Sequence, residues 1–469
     1  MDTALDYLRL RRGLTGTKEG CAEGDCGACT VALGMLGDDG RVTYQPVNSC
    51  ILLTGQLDGR ELITVEDLAE APDRLHPVQR AMAEHHGSQC GFCTPGIVMS
   101  LFCLYHQGDR APEAAAVNDQ LAGNLCRCTG YRPIREAAME ACADVAQDRF
   151  AGQSAESAAM LAGMRDGEDV FLGDERRFLA IPTSEERLAA LLTAHPDAVP
   201  VAGATDVGLW ITKQLRDLPK IILLQGVESL TRIEETADRL TLGAGVTYRQ
   251  AETALGALDP DLGELLRRLG SKQVRASGTI GGNIANGSPI GDTPPPLIAL
   301  GAELELASQA GRRRMPLEAY FLGYGAQDRR PGEYVSSVSV PKLTADQRFR
   351  CFKISKRFDQ DISALLGAFR FTLEAGRIVG ARIAFGGMAA TPKRARQTET
   401  AIAGLDLEDH AGIAAAADAL AEDFTPIDDM RASAAYRLQV AKGLLIKAAA
   451  EIGGEDSTWT RVIGRREVG

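Results

Sequence analysis

Apolar residues recur at helical spacing in four stretches of the N-terminal third: HPVQRAMAEHHG, GIVMSLFCLYH, PEAAAVNDQLAG and IREAAMEACADVA. This is the pattern of half-buried helices, and the four are expected to form a small bundle. Pro95 and Pro133 stand just ahead of the second and the fourth. A first helical turn tolerates proline there, because its missing N–H would have had no partner anyway. After Phe150 the pattern dissolves into AGQSAESAAMLAGMRDGED, which reads as an interdomain linker. Strand and helix signals then alternate. Val199 to Ala202 reads as a strand, GAT as a turn and DVGLWITKQL as a helix, with IILL and LTLGAGV as further strands. GAGVTY, from Gly243, lacks the third glycine of a dinucleotide fingerprint and precedes no clear helix, so it reads as a turn. GAFRFTLE and RIVGARIAFGGM supply later strands, followed by Ala-rich helices from Thr398 onward.

Composition narrows the class. A chain of 469 residues with 45% apolar content has material for roughly three domains. No window approaches the roughly 18 uninterrupted apolar residues of a membrane helix, and MDTALDYLRLRRG lacks the regions of a signal peptide. A cytoplasmic location with no membrane partner is expected. With 51 basic against 63 acidic residues the net charge is −12, which disfavours general nucleic-acid binding. Eleven cysteines are too dilute for a secreted disulfide scaffold, and ten of them fall before residue 143. In a reducing compartment they serve as thiols or metal ligands.

Cys21, Cys26 and Cys29 are separated by four and then two residues, and Cys50 follows. That is the plant-type spacing for a [2Fe–2S] cluster. Gly20, Gly24 and Gly27, with Ala22 and Ala28, let a short loop curl around an anionic cluster and direct N–H groups at its sulfurs. A second quartet lies in HGSQCGFCTPG and GNLCRCTGYRP: Cys90, Cys93, Cys126 and Cys128. Both of its halves precede helix starts, whose positive ends favour a negative cluster. Structural zinc is the alternative for either quartet. Cys103 and Cys142 fall on apolar helical faces and read as core thiols. Further on, TIGGNIANGSPIGDTPPP, Thr279 to Pro296, reads as a long polar loop of the kind that binds a ligand.

A plant-type cluster loop followed by CGFCTPG and GNLCRCTGYRP resembles the iron–sulfur part of the molybdenum hydroxylases, the xanthine dehydrogenase and aldehyde oxidase group. The resemblance runs across nearly the whole chain and is greatest to the iron–sulfur/FAD subunit of bacterial xanthine dehydrogenases. It implies a multidomain α+β fold: a β-grasp ferredoxin domain (1–70), a four-helix [2Fe–2S] domain (71–148), a linker (149–175), an α+β FAD-binding domain of the vanillyl-alcohol-oxidase type (176–342) and a C-terminal α+β flavoprotein domain (343–469). It also implies that both quartets bind [2Fe–2S] clusters, with Gln89 and Cys128 nearest the pterin of a molybdenum cofactor.

VAGATDVG and TIGGNIANGSPIGD resemble the two FAD-binding segments of that group. By matching position, Val201, Ala202, Gly203, Ala204, Thr205, Asp206 and Val207 embrace the pyrophosphate. Thr279, Gly282, Asn283 and Asp292 meet phosphate and ribose, Val335 and Lys353 lie near the rings, and Tyr324 lies by a nicotinamide pocket. The resemblance implies NAD⁺ as acceptor, and a large molybdopterin-binding partner subunit in an α2β2 heterotetramer. Residues 343–469 leave no room for a molybdopterin domain, so no residue of this chain is expected to catalyse substrate hydroxylation. KISKRFDQDIS, Lys353 to Ser363, matches a segment bordering the flavin.

Three departures stand out. Relatives begin with a hairpin ahead of the helix matched by Ala4 to Leu10, and its absence is expected to leave an unpaired sheet edge, from a missed upstream start or a truncation. Leu269 replaces an aromatic residue common in the family, and Gly325-Ala326 a basic pair. A relative acting on aldehydes or another heterocycle, and a cluster-bearing redox sensor without a hydroxylase partner, are the other readings.

Overall fold

In the computed structural model, residues 2–108, 111–143, 148–455 and 460–461 are described. They form two compact units. The first takes in the chain to Thr183 together with Asp197–Gly226 and Gly270–Gly278; the second takes in Ser184–Pro196, Val227–Leu269 and the chain from Thr279. Three segments of the expected 176–342 domain, 176–183, 197–226 and 270–278, therefore fold with the cysteine-bearing part.

In the first unit, strand β1 (Thr30–Leu36) lies between β2 (Val42–Asn48) and β3 (Glu61–Ile63), antiparallel to both. Successive side chains alternate between faces. Val31 and Leu33 pack with Ala4, Leu8, Val47 and Leu52 on one side, while Ala32 joins the helical core on the other. β3 is an edge of this sheet.

Helices α1 (Pro77–Glu84), α2 (Thr94–Tyr105), α3 (Ala114–Leu121) and α4 (Arg132–Ala141) fall on the four periodic stretches, with Pro95 and Pro133 in first turns. α2 is buried on nearly every side, as its continuous apolar sequence requires. α4 buries Ile134, Ala137, Ala138 and Ala141, one stripe at helical spacing.

The stretch expected as a loose linker is ordered instead. Its Ala, Met and Leu are strong helix formers, and the helix Ser154–Met164 buries Ser157 and Leu161 on one side. Strand β4 (Val170–Gly173) follows and begins a second sheet with β5 (Phe178–Ile181), β6 (Val199–Val201) and β7 (Lys220–Leu223), in the order β4-β5-β7-β6. β5, β7 and β6 are parallel, and β4 is antiparallel to β5.

The second unit holds an antiparallel five-stranded sheet made by β8 (Ile233–Glu235), β9 (Arg239–Gly243), β10 (Glu303–Ser308), β11 (Gly311–Pro316) and β14 (Tyr334–Pro341). Its order is β11-β10-β14-β9-β8, and a small hairpin, β12 (Phe321–Gly323) and β13 (Ala326–Gln327), precedes β14 in the chain. A four-stranded antiparallel sheet follows: β15 (Gln347–Ile354), β16 (Leu365–Glu374), β17 (Arg377–Gly386) and β18 (Lys393–Arg394).

Two sequence readings fail in this unit. GAGVTY does precede a helix, Tyr248–Leu258, whose Thr247 and Gln250 form a capping box. The expected polar loop is largely two short helices, α5 (Ile280–Asn286) and α6 (Pro294–Leu300). Thr279 caps α5 by accepting the Gly282 N–H, Gly287 ends it in the left-handed region, and prolines open α6. No described helix is long and apolar enough to cross a membrane.

Candidate functional site

The loop before β1 and the turn after β2 bring Cys21, Cys26, Cys29 and Cys50 together. Cys21 Sγ accepts the N–H groups of Glu23, Asp25 and Cys26 at 3.4, 3.3 and 3.3 Å, and Cys26 Sγ accepts that of Cys21 at 3.3 Å. Gly24 and Gly27 take positive φ to make this curl, and a Cβ at Gly20 would lie 2.7 Å from Cys26 Sγ. Asn48 ties the loop to β2 by donating to the Gly24 carbonyl at 2.8 Å.

The thiols cannot all ionise unaided. Cys26 and then Cys50, hydrogen-bonded to it, hold Cys21 far below the ordinary thiol range, and Cys50 lowers Cys29. Cys26 and Cys50 move up in turn, chiefly because Cys21 takes the shared proton's benefit and then because of burial or a second thiol. A cationic centre among the four would remove that opposition and let every sulfur ligate as thiolate.

The second quartet meets as two pairs. Cys93, at the start of α2, meets Cys126; Cys90 meets Cys128. Burial, and then Cys126, push Cys93 up to about 12. Burial acts to raise Cys126 as well, but the Thr129 hydroxyl and N–H together with Cys93 outweigh it, so its thiol falls. Cys90 and Cys128 are exposed, with exposed Phe92, Leu125 and Tyr131 near them in sequence.

Sulfur spacing separates zinc from a binuclear cluster. A tetrahedral zinc with bonds of about 2.3 Å draws its four sulfurs to roughly 3.8 Å apart. Among the described residues, the one trio of His, Cys, Asp and Glu ligand atoms all within 4.8 Å of one another is His76, His106 and Asp148. The cysteines are spread more widely: the first quartet meets as a chain, Cys26 to Cys21 to Cys50 to Cys29, and the second as two pairs, a spread compatible with a binuclear iron centre. The histidine trio is itself a poor ligand set. His76 Nδ1 accepts the Val78 N–H at 3.2 Å, so its proton sits on Nε2, which donates to Asp148 at 2.8 Å.

The two cysteine loops touch through backbone. The Leu125 N–H donates to the Cys26 carbonyl at 2.9 Å, one residue before Cys126. A Cβ at Gly96 would sit 2.1 Å from the Gly27 oxygen, and one at Gly27 would sit 2.1 Å from the Gly123 oxygen. Only glycine permits so close an approach.

The residues matched to FAD divide between the units. Val201 ends β6, Ala202 to Asp206 form the turn and Val207 opens the helix Val207–Thr212, all in the first unit. Gln56 donates to the Ala202 carbonyl at 3.0 Å, Ala204 takes a positive φ, and a Cβ at Gly203 would lie 1.9 Å from the Ser277 carbonyl oxygen. The helix then runs onto the first quartet: Leu209 packs with Cys29, Cys50 and Ile51, and Thr212 Oγ1 donates to the Ala22 carbonyl at 2.7 Å.

The second unit holds the rest. Asn283 accepts the Thr293 hydroxyl at 2.6 Å. Asp292 and Lys353 pair at 2.5 Å, and the Ser363 hydroxyl joins both, at 2.6 and 3.0 Å. Neither Ser363 nor Thr293 carried a sequence signal of its own. Val335 is buried on β14 opposite Leu306. Tyr324 is 78% exposed at the turn of the β12–β13 hairpin, where Gly325 takes a positive φ, and Gln327 ties that hairpin to the end of α5 by donating to Asn286 O at 3.4 Å. Leu269 lies in the apolar core.

Comparison with known proteins agrees with this division of labour. Residues 64–139 match a [2Fe-2S] binding domain, 175–343 the FAD binding domain in molybdopterin dehydrogenase, and 350–452 the CO dehydrogenase flavoprotein C-terminal domain. The chain carries the iron–sulfur and flavin domains of the molybdenum hydroxylases. A xanthine dehydrogenase of Drosophila pseudoobscura pseudoobscura is 32% identical across 95% of this molybdenum-hydroxylase chain, and a xanthine dehydrogenase/oxidase of Gallus gallus is 30% identical across 86%. The chain spans only 37% and 35% of those relatives' lengths.

Among solved structures, a chain of carbon monoxide dehydrogenase from Hydrogenophaga pseudoflava is 27% identical with a TM-score of 0.56, covering 60% of this chain and 99% of that one. A chain of quinoline 2-oxidoreductase from Pseudomonas putida 86 is 26% identical with a TM-score of 0.54, covering 61% and 98%. These relatives are oxidoreductases, and the chain corresponds to their iron–sulfur and FAD electron-transfer region.

Proposed function

We propose that this chain is the electron-transfer subunit of a cytoplasmic xanthine dehydrogenase. Cys21, Cys26, Cys29 and Cys50 hold one [2Fe–2S] cluster, and Cys90, Cys93, Cys126 and Cys128 hold the other. Val201–Val207, and separately Thr279, Gly282, Asn283, Asp292, Val335 and Lys353, are the residues that bind FAD. Xanthine is oxidised on a separate molybdopterin-binding subunit in a heterotetramer, and NAD⁺ is the acceptor. When bound, the clusters supply one-electron transfer and the flavin supplies the exchange between single electrons and a hydride. The residues of this chain bind these groups, fix their spacing and set their exposure to water, which tunes cluster potentials.

The observation that carries the reading is the helix Val207–Thr212. It starts at the turn matched to FAD and ends on the loop of the first cysteine quartet, with Leu209 against Cys29 and Cys50 and Thr212 bonded to Ala22. The exposed Cys90 and Cys128, with exposed Phe92 and Leu125 in the same segments, supply a face for the molybdenum subunit, and the exposed ring of Tyr324 is free to meet a nicotinamide. The similarity to a quinoline 2-oxidoreductase favours a second reading in which the partner oxidises another heterocycle or an aldehyde.

The test is an ultraviolet–visible and EPR spectrum of the purified protein with iron, acid-labile sulfide, flavin and molybdenum counted. Two iron pairs and one FAD per chain, with molybdenum only when a second chain copurifies, are expected. Zinc in place of iron would refute the assignment. NADH formation on adding xanthine to the copurified complex tests the substrate and the acceptor.

A further inference from the structure

Gln273 lies on the short helix Lys272–Ser277, in the stretch 270–278 that the first unit takes from the flavin-domain sequence. Its Nε2 donates to Asn124 Oδ1 at 2.9 Å, Thr30 Oγ1 at 3.2 Å and Ser100 Oγ at 3.2 Å. Each acceptor belongs to a different cysteine-bearing element. Thr30 follows Cys29 at the start of β1, Ser100 lies on α2 behind Cys93, and Asn124 stands two residues before Cys126. The acceptors are tied to one another: Ser100 Oγ donates to Asn124 Oδ1 at 2.6 Å, and Asn124 Nδ2 donates to Thr30 Oγ1 at 3.2 Å and to the Gly27 carbonyl at 3.1 Å.

All four side chains are fully buried. Ser100 and Thr30 spend their hydroxyl protons on Asn124 and on the Gly27 carbonyl, so Ser100 Oγ takes its donor from the Gln273 amide, which also adds to the donors that Ser100 and Asn124 supply to Asn124 Oδ1 and Thr30 Oγ1. Gln273 Oε1, by contrast, is buried without a hydrogen-bond partner among the described residues. The side chain is held in place for its donors, at the expense of its own acceptor.

We propose that Gln273 is a positioning residue that fixes the separation of the two cysteine loops, and with it the rate at which single electrons pass between the clusters. The proposal rests on the assignment of both quartets as [2Fe–2S] sites. In the step concerned one electron leaves one iron pair and arrives at the other; no bond breaks and no proton moves. The side chain bonds to Thr30, Ser100 and Asn124, and it acts through them.

The test uses the full chain with its clusters and three variants: Gln273→Leu, which removes the donors; Gln273→Glu, which keeps the shape and turns donors into acceptors; and Ser100→Ala, which removes one acceptor. Iron, sulfide and melting temperature are measured, and dithionite-reduced samples are examined by low-temperature EPR for the splitting that each paramagnetic iron pair imposes on the other. Gln273→Leu and Gln273→Glu are expected to keep both iron pairs, to narrow or lose that splitting, and to slow inter-cluster transfer. Ser100→Ala is expected to show a smaller change of the same kind.

A Gln273 variant that melts earlier but keeps the splitting and the transfer rate overturns the proposal, since that is the signature of a merely structural amide. A Gln273 variant that loses one iron pair while Ser100→Ala stays unchanged also overturns it, by showing a role in assembly. Absence of iron from the unaltered chain would instead refute the cluster assignment itself, and the proposal with it.

Discussion

Gly96→Ala sets two forces of opposite sign on one methyl group. Gly96 is in the first turn of α2 and has no unusual φ, so helix propensity alone predicts that alanine stabilises by up to about 1 kcal/mol. The new Cβ, however, would lie 2.1 Å from the Gly27 carbonyl oxygen, and relief requires a shift of nearly an ångström. That oxygen is not free to move. It accepts the Thr30 N–H at 3.1 Å, the Thr30 hydroxyl at 2.7 Å and the Asn124 amide at 3.1 Å.

Overpacking of a filled core costs about 1–3 kcal/mol, and each weakened bond to a buried carbonyl adds about 0.5–1.5 kcal/mol. The steric cost exceeds the propensity gain, and a net loss of about 2–4 kcal/mol is expected. Urea unfolding followed by far-ultraviolet circular dichroism measures it. Gly443→Ala is the control, on an exposed face of the helix Ala434–Gly453 (α7) with no atom of the described residues within 4 Å; it should gain up to about 1 kcal/mol. If Gly96→Ala matched that gain, the close approach of the two loops would be refuted.

Three further outcomes are expected. Cys128→Ala, at an exposed position, should erase one of the two reduced-cluster EPR signals and leave the melting of the second unit unchanged; survival of both signals would misassign the quartet. Lys353→Met leaves the buried Asp292 carboxylate without its cation and should cost about 3–5 kcal/mol, with lower FAD retention, while Lys353→Met with Asp292→Asn recovers part of the stability in thermal melts. Burial acts to raise Asp148, but hydrogen bonds from His106 and His76 and the Ala151 N–H outweigh it and hold the carboxylate below its usual range. Its folded pKa is depressed, so its contribution is complete above the unfolded value of about 3.9 and fades as pH falls below it; Asp148→Asn should flatten an acid-unfolding curve over that interval.

What the sequence made legible is what is local. Four helices were readable because apolar period and first-turn prolines are properties of a dozen residues, and the cysteine quartets because ligand spacing is set within short loops. The failures are equally physical. α5 was hidden by its glycines and asparagines, whose poor propensity is overridden by the Thr279 cap and by tight packing, a Cβ at Gly281 falling 2.4 Å from Ala244. The helix after Thr247 had a legible T-x-x-Q capping box that the missing third glycine drew attention away from. Gln273 gave no signal at all, because its partner Thr30 is 243 residues away in the chain and nothing local marks a glutamine as a donor to three buried oxygens.

The stretch 270–278 shows why that last failure matters for function. From one short helix, Gln273 reaches the loops of both cysteine quartets, while the Ser277 carbonyl packs against Gly203, whose missing Cβ permits the approach. Gly203 belongs to the turn matched to FAD, so a single turn and a half of helix touches the three loops that would carry the redox groups. Electron transfer depends steeply on separation, and separations set by three independent loops would drift with each loop's own fluctuations. A common rigid neighbour makes them vary together. The same reasoning explains the glycines at 27, 96 and 203: each lets backbone meet backbone, so that spacing is fixed by carbonyls rather than by side chains that hop between rotamers.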